Sequence, residues 1–100
     1  MDITYTGAIT ASDLTEKLAR RDFVVQGRSD IQPADLVAAL GECNGMLKVA
    51  EPIKVDGFNY IGYYFGGFPV LTVIESADNP HYCEVIPEAM LKKLLFEPAD

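Results

Sequence analysis

Little in this chain is equipped for chemistry: its 100 residues include one histidine and two cysteines. Cys43 and Cys83 are too few for a disulfide framework, and with no export signal in the sequence they are expected to be reduced thiols. A zinc site drawn from Cys43, His81 and Cys83 lacks the paired close ligands that structural sites carry at both ends, so no metal and no other cofactor is predicted. His81 and Cys83 stand two apart, and an extended segment would put them on one face. There an imidazole could lower the thiol pKa. The sequence offers neither a third group to orient that histidine nor an oxyanion hole. A non-enzymatic protein is therefore expected, with a thiol-dependent enzyme or ligand binder using Cys83 and His81 as the alternative.

Long apolar runs are also missing. No run of about 18 apolar residues, the length of a membrane-crossing helix, is present, and no basic segment precedes an apolar one at the start. Neither a membrane partner nor a signal peptide is expected, and the cytoplasm is the predicted location. Cations are scarce, with 8 basic against 15 acidic side chains and a net charge of −7. That balance argues against direct nucleic-acid binding and favours solubility or a basic partner. Arg20, Arg21 and Arg28 form the one basic concentration in the first half. They suit either a helix C-terminus or a phosphate or carboxylate site. Gly62, Gly66 and Gly67 lack the spacing of a phosphate loop, and the acids are too scattered to nominate a catalytic pair. No repeat or low-complexity segment divides residues 1–100, which form a single domain.

What the sequence does hold is a dense aromatic and β-branched stretch, Phe58 to Ile74. Gly66 and Gly67 split it into two strands joined by a two-residue turn. That turn fixes the register, pairing Phe65 with Phe68, Tyr63 with Val70, Ile61 with Thr72 and Asn59 with Ile74, all on one face. The other face would carry Phe58, Tyr60, Gly62 and Tyr64 against Glu75, Val73, Leu71 and Pro69. Pro69 would point its missing N–H outward and leave an open edge.

Around this hairpin the pattern predicts a short strand over Asp2 to Thr6 and a helix from about 11 to 20 capped by Thr10. A short buried strand at Phe23 to Val25 follows, then a helix opened by Pro33 and stopped by Gly41. After a turn at Asn44-Gly45 comes a strand at Met46 to Val49. A hairpin turning at Asp56-Gly57, a strand at Tyr82 to Ile86 and a helix opened by Pro87 complete the chain. The fold class is α+β: an antiparallel meander of three to five strands with about three helices mainly on one face.

Helices are expected on the Ile61, Tyr63, Val70 and Thr72 side. The Tyr60 and Tyr64 side is left for other parts of the chain, a second copy in a structural homodimer, or a protein partner. The preferred reading is a small acidic protein-binding module. Small acidic stand-alone domains often act as inhibitors or immunity-type factors, of phage or bacterial type, on basic nucleic-acid-handling proteins, and that analogy of class, not a motif, supplies the expected role. Phe58, Tyr60 and Tyr64 would be its anchors, beside Pro69, with Asp56 and Glu75 as the charged rim.

Overall fold

A computed structural model describes residues 3–26, 31–42 and 45–96, with side chains as far as Lys92. The elements run β1 (Tyr5–Thr10), α1 (Ala11–Ala19), β2 (Asp22–Val25), α2 (Pro33–Gly41), β3 (Met46–Ala50), β4 (Ile53–Val55), β5 (Phe58–Phe65), β6 (Phe68–Ser76), β7 (Asn79–Pro87) and α3 (Ala89–Phe96). The strands make one seven-stranded sheet in the order β1-β3-β5-β6-β7-β2, with β4 also pairing β5. Every pairing is antiparallel except β2 with β7.

Local chemistry accounts for the helix starts and the tight turns. The Thr10 side chain accepts the Asp13 N–H at 3.0 Å and so caps α1, whose Ala11, Leu14 and Leu18 are buried. Pro33 opens α2, which buries Leu36 and Leu40. Both predicted two-residue turns form, with φ of 51° and 84° at Asp56 and Gly57 and of 57° and 84° at Gly66 and Gly67. Positive φ at both central residues is the turn that matches the natural twist of paired strands.

Several expectations are corrected. The first strand does not end at Gly7 but runs through it to Thr10, with an irregularity between Tyr5 and Gly7, because β3 is there to pair with it. The meander is longer than the expected return strand suggests: β7 begins at Asn79, and β4 to β7 follow one another across the sheet. It is flanked by β1 and β3 on one side and by parallel β2 on the other, so α1 carries the chain from one edge of the sheet to the other. The β2 strand is an edge, and Val24 on it is exposed rather than buried. Pro87 closes β7 instead of opening α3, which starts at Ala89. The predicted turn residue Asn44, with Cys43, Gly27, Arg28 and Asp2, lies outside the described residues.

The largest correction concerns β6. Phe65 pairs with Phe68 and Tyr64 with Pro69, but Tyr63 pairs with Leu71, leaving Val70 as an extra residue. This β-bulge slips the rest of β6 by one position, and each of its side chains changes face relative to an unbroken register. The Val70 carbonyl, which has no place in that ladder, accepts the Glu88 N–H at 2.9 Å where the chain leaves β7 for α3. Both Val70 and Leu71 are fully buried. Thr72, expected under the helices, faces away from them.

One core results. Leu47, Tyr63, Leu71, Val73, Cys83, Val85, Phe23 and Val25 share one face of the sheet by register. They form a single cluster with Leu14 and Leu18 of α1, Leu36 and Leu40 of α2 and Leu91 of α3. All three helices therefore lie on the same side. Among the described residues no helix is long and apolar enough to cross a membrane.

Candidate functional site

The face of the sheet away from the helices is left bare. Of the eight large apolar side chains exposed among the described residues, six stand on it by strand alternation: Val24, Met46, Ile53, Val55, Phe58 and Tyr82. Ile53 is 64% exposed and Phe58 46%. Between them lie the half-buried Tyr60 and Tyr64 of β5, and the buried Ile74 of β6, which pairs with Tyr60. No described element packs over these side chains. Exposed large apolar side chains gathered on one face are a common mark of an interaction surface.

The aromatic side chains are held in place. The Tyr64 ring lies flat along the sheet over Gly62, where a Cβ would come within 3.0 Å of it. Tyr5 meets the same ring edge-on, with centroids 5.8 Å apart at 75°. The Lys48 ammonium stands 5.3 Å from the centre of the Tyr5 ring, a cation–π contact. Glycine at position 62 thus makes room for an aromatic platform, a reason for it that only the cross-strand geometry reveals.

Of the six nominated binding residues, the register brings Phe58, Tyr60, Tyr64 and Pro69 to this face, with Asp56 in the turn beside Phe58. Glu75 is not among them. The β6 bulge turns it to the helix side opposite Asn59, where its carboxylate accepts from Arg21 Nη1 at 2.7 Å. The face instead carries Glu84, Lys48 and Asp22, none of them among the six nominated residues. Pairing of β6 with β7 ends at Leu71 and Pro87, so no described strand flanks Pro69. A cleft of about 340 Å³ there is lined by Phe68, Pro69, Ala89 and Met90.

The two residues of the second nominated pair differ in burial. His81 is exposed, whereas Cys83 is buried on the helix side among Arg21, Glu75 and Tyr63. Burial pushes the Cys83 thiol above its ordinary 9.0, with the Glu75 charge adding to the shift and Arg21 opposing it. Burial likewise raises the Tyr63 phenol above its ordinary 10.0. These are the attributes of a protonated structural thiol, not of an activated nucleophile. Cys43, the third residue weighed for metal binding, lies outside the described residues, among which no three His, Cys, Asp or Glu side chains are grouped to hold a metal.

A pH dependence follows from the two raised groups. Below their ordinary pKa values both are protonated in the folded and the unfolded chain, and they do not affect stability. As pH rises past about 9 the unfolded chain loses these protons first, so the folded form is progressively disfavoured. Denaturant titrations at pH 7 and pH 10 should therefore give a lower midpoint at pH 10, and a Cys83→Ala variant should show a smaller drop.

Comparison with protein-family models, with curated proteins and with solved structures finds no match to this chain.

Proposed function

We propose that this protein is a non-enzymatic binding module that meets another protein through the open face of its sheet. The single observation that carries the reading is the gathering of six exposed large apolar side chains on that face. Tyr60 and Tyr64 supply what interface centres use, broad apolar rings with a polar tip; both are half-buried, and Tyr64 is oriented by Gly62 and Tyr5. Rings fixed in advance lose little conformational freedom on binding.

Contact through this face is driven mainly by burial of apolar surface. Glu75, the acid expected at the rim, is turned to the other side and committed to Arg21. Binding should therefore resist salt, unlike the charge-steered capture of a strongly basic protein.

The test is a capture experiment with the tagged full chain in a lysate of its source cells. Wild type should retain a stoichiometric protein partner, either another protein or the untagged copy, at both low and high salt. Tyr60→Ser combined with Tyr64→Ser should weaken that retention about a hundredfold or more while far-UV circular dichroism stays unchanged. Equal retention by both chains would rule this face out as the contact surface.

A further inference from the structure

Charge on the open face is distributed differently from charge on the chain as a whole. The charged side chains that its strands present are Lys48 on β3, Glu84 on β7 and Asp22 at the edge on β2. One positive and two negative charges leave a net of −1, or −2 with Asp56 in the turn beside Phe58, out of −5 for the described side chains, 11 acidic against 6 basic. A basic partner would find little to hold on this face, whereas a second copy of the same chain could approach it without strong repulsion.

The extent of the face suits such a copy. Six strands in a row span about 24 Å across, and β5 alone runs about 26 Å, at the usual spacings of about 4.8 and 3.3 Å. That is on the order of 600 Å² per copy and about 1,200 Å² in a pair, enough for a specific interface at the small end of the stable range.

The register also supplies a symmetry. Lys48 sits directly opposite Tyr64, and Glu84 lies in line with Ile74 and Tyr60. The two charges are thus three strands apart, about 14 Å, and four residues apart along the strands, about 13 Å. Their midpoint falls between β5 and β6 at the level of Gly62 and Thr72, the middle of the sheet. A two-fold axis through that point, lying in the plane of contact and perpendicular to the line joining them, places Lys48 over the partner's Glu84 and Glu84 over the partner's Lys48. The axis then runs at about 45° to the strands, so the strands of the two copies cross near a right angle. This is one of the two standard ways in which sheets stack.

We infer that the occupant of the open face is a second copy of this chain, packed sheet on sheet about that axis, with the two Lys48–Glu84 pairs fixing its orientation. The inference rests on the protein-binding reading and names its partner. Tyr60 and Tyr64 form the apolar centre, over the buried Ile74. The existing neighbours of the two charges, the Tyr5 ring for Lys48 and a 3.5 Å contact from Gln26 for Glu84, leave both open to a further partner. An isologous contact of this kind closes on itself and stops at two copies.

Sedimentation equilibrium of the full chain from about 1 to 200 μM tests this on four proteins: wild type, Lys48→Glu, Glu84→Lys and the two exchanged together. Wild type should be a dimer with a micromolar dissociation constant. Each single change places like charges together twice per dimer and should weaken it tenfold or more, while the double exchange should return it to within about threefold of wild type. A monomeric wild type overturns the inference, and so does a dimer indifferent to the single changes. If wild type is monomeric yet holds a lysate protein that Tyr60→Ser with Tyr64→Ser releases, self-pairing fails and the binding face stands. A monomer that retains nothing removes both.

Discussion

Leu71→Ala should lower the free energy of unfolding by about 3 to 4 kcal/mol, while Thr72→Ala, one position further on, should cost less than about 1 kcal/mol. Leu71 is fully buried and pairs with Tyr63 on one side and Pro87 on the other, inside the cluster that α2 and α3 close over. Truncating it removes three carbons from a site whose neighbours are fixed by ladder hydrogen bonds and cannot collapse into the space. Thr72 faces the other way, opposite Gly62, and is only half-buried. A domain of this size is commonly stable by about 5 to 15 kcal/mol, so the first change should lower the melting temperature by roughly 15 to 25 °C and the second hardly at all. An unbroken hairpin register would exchange the two results. Thermal denaturation of the pair of variants therefore reads the β6 bulge directly.

That bulge marks where the sequence stops being informative. The turn at Gly66-Gly67, the turn at Asp56-Gly57 and the Thr10 cap were all legible, because each depends on residues within a few positions of one another. The pairing of Phe65 with Phe68 followed from the turn alone. Val70 is different: its place depends on Glu88, whose N–H takes the displaced carbonyl from 18 positions away. One signal was nevertheless present. Thr72 is the polar residue between Leu71 and Val73, and a sheet with one wet side would turn it outward and its two neighbours in. Reading that alternation ahead of the turn would have shown the slip.

The same boundary runs through the candidate site. Phe58, Tyr60, Tyr64 and Pro69 were placed together correctly because they precede the bulge or lie within the turn it leaves intact. Glu75 was misplaced because it follows the bulge. Lys48 and Glu84 reach this face through β3 pairing with β5 and β7 with β6, contacts between distant parts of the chain that no local pattern specifies. The parallel edge strand β2 is hidden for the same reason: nothing in Phe23, Val24 and Val25 names Cys83 or Val85 as a neighbour.

Glu75 leads to the second large effect. Arg21 follows the last turn of α1, its own N–H bonding the Leu18 carbonyl at 3.0 Å, and its guanidinium meets Glu75 at 2.7 Å with both side chains mostly out of water. Burial alone would lower the Arg21 pKa. Hydrogen bonds to Glu75 and Cys83 and their charges outweigh it and hold the guanidinium above its ordinary value. Arg21→Met removes the cation and leaves a half-buried carboxylate, which should cost about 2 kcal/mol. The loss stays below that of a sealed pair because a cleft of about 230 Å³, lined by Arg21, Asn59, Glu75, Ser76, Ala77 and Pro80, lets water reach the acid. Glu75→Gln alone should cost less, about 1 kcal/mol, since the arginine it abandons still sits at a helix C-terminus, where a cation is favoured. Adding Glu75→Gln to Arg21→Met should recover stability, making the double variant more stable than Arg21→Met. Urea titrations of the four proteins measure this cycle. Strict additivity would show that the pair contributes no coupling and that the two side chains are anchored independently.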